Sequence, residues 1–99
     1  MSVEQALRDA KDTNFGPNTA FVMAPPEEYN MVAFVVRADP QSPWEMREEI
    51  PPPLEAAVLA AGFFPEAENA FTNVAASRPD MIALFTAWGL IEVTMDQVM

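Results

Sequence analysis

Glu45, Glu48 and Glu49 lie close enough along the chain to act together, and Glu55 joins them if Pro51-Pro52-Pro53 folds back. Carboxylates grouped in this way bind Mg²⁺ or Ca²⁺ through oxygen, and a pair whose pKa values are driven apart performs general acid and base work. Neither chemistry finds its supporting parts here. The sequence has no Asp-x-Asp-x-Asp-Gly loop, and a glycosidase-type pair needs a cleft that a chain of 99 residues has little material to build. An acidic stretch beside prolines reads more simply as a solvated surface. The expectation is no catalytic residue, no metal site and no cofactor.

Other chemistries are closed by absence. The chain has no cysteine, which excludes disulfides, thiolate zinc sites and cysteine nucleophiles. Nor does it have histidine, the commonest general base and transition-metal ligand, so Ser-His-Asp arrangements are excluded too. Gly16, Gly62 and Gly89 stand too far apart for a dinucleotide-binding fingerprint or a phosphate-cradling loop. The sequence therefore reads as that of a protein that is not an enzyme.

Charge points toward protein partners. Fifteen acids oppose Arg8, Lys11, Arg37, Arg47 and Arg78, giving a net charge of −10. Those five cations are scattered among acids, whereas phosphate backbones call for clustered ones, so direct nucleic-acid binding and attachment to an anionic membrane are not expected. A strongly acidic surface steers toward basic partners, although solubility alone also explains it. Two proline-framed acidic loops concentrate the interest, and each carries one aromatic: Glu27-Glu28-Tyr29 after Pro25-Pro26, and Trp44-Glu45 with Glu48 and Glu49 between Pro43 and Pro51. Exposed aromatics beside charge suit a partner-binding site, which makes Glu27, Glu28, Tyr29, Trp44, Glu45, Glu48 and Glu49 the candidate contacts. For Trp44 a second reading competes, in which it folds over the sheet as a lid, because small domains recruit loop aromatics to complete their cores. Met95 and Met99 are further candidates, since they follow a strand at a possible edge.

The elements that hold these loops follow from local pattern. A composition 51% hydrophobic and 20% charged is that of a folding chain, and 99 residues make a single compact domain with one core. Ser2 and Gln5 have capping-box spacing and open a helix to about Asp12. The runs 20–24 and 31–37 predict a hairpin whose second strand, apolar on both faces, is covered on both sides by the fold or on one side by a partner chain. Residues 44–50 have room for one or two helical turns. Pro53 starts a helix over 54–61, and Pro65, Glu66 and Glu68 start another whose stripe Ala67, Ala70, Phe71 and Val74 carries it to Ala76. Ser77, Pro79 and Asp80 open a last helix with Met81, Leu84, Phe85 and Trp88 along one side. Finally, 90–95 alternates as a half-exposed strand, with Ile91, Val93 and Met95 on one side.

These elements predict an α+β fold: a small antiparallel or mixed sheet, built from the hairpin at about 20–37 and a strand at about 90–95, packed with about four short helices. The uncharged run Ala56 to Pro65, the stretch that most suggests a membrane span, is about half of the roughly 20 residues a span needs, and no basic start precedes an apolar stretch as in a secretory signal. A cytoplasmic location is expected. In function, the sequence reads as a non-enzymatic protein–protein interaction module, an oligomerising or assembly subunit that pairs with itself or with another chain. The alternative is a small acidic inhibitor or regulator, of the sort viruses encode, that binds a basic nucleic-acid-binding protein by imitating phosphate charge.

Overall fold

The computed structural model describes residues 2–10, 13–23 and 30–98. Within them the order is α1 (Val3–Arg8), β1 (Thr19–Met23), β2 (Met31–Val36), β3 (Glu45–Met46), α2 (Pro52–Ala60), β4 (Phe64–Ala67), β5 (Ala70–Thr72), α3 (Arg78–Ala87), β6 (Ile91–Glu92) and α4 (Met95–Val98). The chain is a small α+β domain with one mixed sheet in the order β4-β5-β2-β1-β6, and β3 pairs with β2 beside β5.

The helices begin where capping chemistry directs. Ser2 Oγ accepts from the Gln5 N–H at 3.1 Å, while the Gln5 side chain reaches forward to Asp9 at 3.3 Å, so only half of the capping box forms. α1 stops at Arg8, short of the expected end at Asp12, a residue outside the described set. Pro51 precedes α2, and Pro52 and Pro53 occupy its first turn, where a missing N–H costs nothing. Ser77 Oγ accepts from the Asp80 N–H at 3.2 Å to open α3. The predicted stripe Met81, Leu84, Phe85 and Trp88 is buried along its length.

The hairpin forms in the register Phe21↔Phe34, with Thr19↔Val36 and Met23↔Val32 at its ends. Alternation then sends Phe21, Met23, Val32 and Phe34 to the inner face, where they join the cores of α1, α2 and α3. Phe85 is the hub. Its ring centroid lies 5.1 Å from that of Phe21, 5.4 Å from Phe34, 5.5 Å from Phe63 and 5.8 Å from Trp88. Burying each such ring contributes on the order of 1.5–3 kcal/mol, with about 0.5–1.5 kcal/mol more for a well-disposed ring pair.

Three local expectations fail, the first two for one shared reason. The helix expected over 65–76 is instead the hairpin β4–β5, with Phe71 buried opposite Val32 and Val74 left 96% exposed. The stripe Ala67, Ala70, Phe71, Val74 offered a helix one large buried side chain, whereas as a strand the segment pairs with the open edge of β2. Residues 44–50 likewise form no helical turn. Glu45 and Met46 pair with Val36 and Val35 further along that same edge. The C-terminal strand shrinks to Ile91–Glu92 and runs parallel to β1. Thr94 then opens α4, with Gln97 Oε1 accepting from the Thr94 N–H at 2.9 Å and from its hydroxyl at 3.3 Å. That Thr-x-x-Gln signature was legible and competes directly with the strand alternation.

Between β5 and β3 the edge of β2 would be left open at Phe34. Asn69, in the β4–β5 turn, closes it: its Oδ1 accepts from the Phe34 N–H at 3.0 Å, and its Nδ2 donates to the Phe34 carbonyl at 2.7 Å and to the Arg47 carbonyl at 2.9 Å. A side-chain amide thus stands in for a strand residue, and it ties β3 to the β4–β5 hairpin.

Candidate interaction surface

The outer face of the sheet is apolar and only partly covered. Cross-strand register builds the row Met46–Val35–Ala20–Ile91 across β3, β2, β1 and β6, and a second row, Phe64–Thr72–Met31, across β4, β5 and β2. Ala20, Val22, Val35 and Val93 form a small buried cluster in the middle, and Trp44 and Val98 of α4 pack onto it. Around that centre the face is open. Phe64 is 64% exposed, Met46 43%, Met95 42% and Ile91 41%.

Trp44 is therefore half-buried over the outer cluster, not projecting from its loop. The Arg37 guanidinium sits 4.3 Å from its ring centroid. Arg37 is itself held in place, Nε donating to Asn18 Oδ1 at 3.2 Å and Nη2 to the Pro17 carbonyl at 2.8 Å. The loop leading to Trp44 is turned by Asp39, whose Oδ1 accepts from the Gln41 N–H at 2.8 Å and the Ser42 hydroxyl at 3.1 Å.

Of the acids singled out in this loop, Glu45 is paired with Arg47 at 2.8 Å, and Glu48 and Glu49 point to solvent. They do not converge. Among the described residues, no three acids are arranged to hold a metal ion. Glu27, Glu28 and Tyr29 lie outside the described residues.

Clefts lie among the described residues. One of about 470 Å³ runs between the starts of α1 and α3, lined in part by Ser2, Glu4, Asn73 and Asp80. Its one buried polar side chain, Asn73, uses Oδ1 to accept from the Ala75 and Ala76 N–H groups, each at 3.1 Å. Asn30 Nδ2 donates to the Asn73 carbonyl at 3.3 Å and to the Ala76 carbonyl, so this corner is occupied with holding the 73–77 loop against β2. Another cleft, of about 460 Å³, includes Arg37, Arg47 and Glu49, but the first two are engaged as described.

The residues that distinguish the surface are Phe64, Met46, Ile91 and Met95, and only Met95 was singled out from sequence. Alternation gave a partial signal, because Ile91 and Val93 do share a side; it stopped short for Phe64 and Met46, whose strands were read as helix. No helix among the described residues is long and apolar enough to cross a membrane. Comparison with protein-family models, with curated proteins and with solved structures finds no match to this chain.

Proposed function

We propose that this α+β domain is a non-enzymatic protein-interaction module that docks on another chain through the outer face of its sheet. The observation behind the proposal is the gathering of Phe64, Met46 and Ile91, with Met95 at the start of α4, on the sheet face opposite α1, α2 and α3, which Trp44 and α4 cover only in part. Apolar side chains scattered singly over a surface need no explanation, and Val74 and Leu59 are of that kind. Side chains sharing a sheet face around a common buried cluster are different, because one partner surface covers them together. The absence of histidine and cysteine and the open arrangement of the acids support a role in binding over one in catalysis.

Imitation of phosphate charge by the acidic loops has less behind it. Glu45 is neutralised by Arg47, and the acids that border the apolar face are largely others. A photo-crosslinking amino acid placed at Phe64 or Ile91, in the cells that make the protein, should give discrete protein adducts that the same group at Val74 or Leu59 does not. Equal adducts from all four positions, or none from the outer face, would count against the proposal.

A further inference from the structure

The partner class follows from what borders the apolar face. Acids stand beside Phe64, Met46 and Met95. Asp96 follows Met95 in α4. Glu66 reaches the outer face itself, since its Oε1 accepts at 3.0 Å from the hydroxyl of Thr72, the residue opposite Phe64. Glu48 and Glu68 line the groove next to Met46. Against these four acids stand three arginines, all engaged within the chain: Arg37 over Trp44, Arg47 on Glu45, and Arg78 beside the cleft that Glu92 and Asp96 share.

A second copy fits this surface poorly. A two-fold contact sets each patch against itself, so acidic rim would meet acidic rim between chains of net charge −10. Extending the sheet edge to edge is also obstructed. The free edge strand β4 carries Pro65, which has no N–H to donate, and a register irregularity between Pro65 and Ala67. The opposite edge strand, β6, has two residues.

Resting on the docking reading above, we infer that the occupant of this face is a different protein whose contact surface is an apolar strip bordered by lysine or arginine. Apolar burial at Phe64, Met46, Ile91 and Met95 supplies affinity, and the acids outside it select a cationic border and speed encounter.

Three synthetic helical peptides of equal length test this: Leu/Lys with one leucine face, its Leu/Glu counterpart, and a Ser/Lys peptide of the same charge as the first. They are titrated onto the full chain by tryptophan fluorescence and NMR, with sedimentation at 150 mM salt in parallel. The chain should sediment as a monomer and bind the Leu/Lys peptide, weakening about tenfold between low and moderate salt. The double variant Phe64→Ser, Met46→Ser should lose about tenfold in affinity, and Glu66→Gln, Asp96→Asn several-fold, with near-UV circular dichroism unchanged. Equal binding of the Leu/Glu peptide, or a dimer dissolved by Phe64→Ser, would overturn the cationic partner while leaving docking through this face in place. Equal binding of the Ser/Lys peptide, with no effect of Phe64→Ser and Met46→Ser, would overturn both.

Discussion

Replacing Asn69 should damage this fold more than any other substitution of a turn residue, because one side chain completes the edge of the central strand. In Asn69→Ala the Phe34 N–H and carbonyl lose partners now at 3.0 and 2.7 Å, and the Arg47 carbonyl loses one at 2.9 Å. A buried main-chain group left unpaired costs about 1–3 kcal/mol. The Phe34 groups are only part-buried, so the lower half of that range applies to each, and water replaces the amide at the exposed Arg47 carbonyl. The sum is about 2–4 kcal/mol, a large share of the roughly 5–15 kcal/mol that holds a domain of this size together. At about 4–8 °C per kcal/mol, the midpoint of thermal unfolding should fall by roughly 8–32 °C. Asn69→Asp separates hydrogen bonding from shape. The carboxylate still accepts from the Phe34 N–H but faces two carbonyl oxygens, which raises its folded pKa above the usual carboxylate value. The folded state then binds more protons than the unfolded one between those two pKa values, so this variant gains stability relative to wild type as pH falls through that window and loses it as pH rises. Urea unfolding of both variants, with hydrogen exchange at the Phe34 amide, provides the assay. If Asn69→Ala stays within 0.5 kcal/mol of wild type and the Phe34 amide keeps its protection, the amide is not closing the strand edge and the reasoning fails.

Two further substitutions probe other joints. Gly89 and Gly16 both have positive φ, +83° and +87°, yet a Cβ at Gly89 would lie 2.7 Å from Asn14 Oδ1, whereas at Gly16 it meets nothing within 4 Å. Gly16→Ala should therefore cost about 1 kcal/mol from backbone conformation alone, and Gly89→Ala measurably more, since it also displaces the Asn14 side chain that accepts from the Gly16 N–H; equal midpoints in urea would contradict this. Trp44→Ala should destabilise by about 1.5–2.5 kcal/mol, roughly half the cost of truncating a fully buried aromatic, and should raise binding of a hydrophobic dye as the outer cluster opens, with Trp44→Phe in between because it keeps a ring under Arg37.

Much of the architecture was readable because its causes are local. The Ser2 and Ser77 caps, the prolines that open α2, the buried stripe of α3 and the alternation of the β1–β2 hairpin each act within a few residues, and each appears where the pattern put it. Asn69 and Glu68 between Phe64 and Phe71 were also readable as a hairpin turn, but the spacing of Ala67, Ala70, Phe71 and Val74 fits a helix as well. Short alanine-containing segments satisfy both periods, and only packing separates them.

The candidate site was less legible. Acids and aromatics were conspicuous in the two loops, and that drew attention to Trp44, Glu45, Glu48 and Glu49; the structure bears out the lid reading of Trp44, which covers the outer cluster, and leaves Glu48 and Glu49 in solvent. Phe64 and Met46 share a face only because β4 and β3 pair, directly or through β5, with one edge of β2.

Residue types alone removed histidine- and cysteine-based chemistry, since a side chain that is absent can take no part in it, and local spacing alone foretold the hairpin and the capped helices. Tertiary structure decided what lies along the outer edge of β2, and hence which apolar side chains remain uncovered. The hydrogen-bonding groups of that strand find partners in Asn69, 35 residues away, and in segments with no strong strand preference of their own, a demand that no window of neighbouring residues contains.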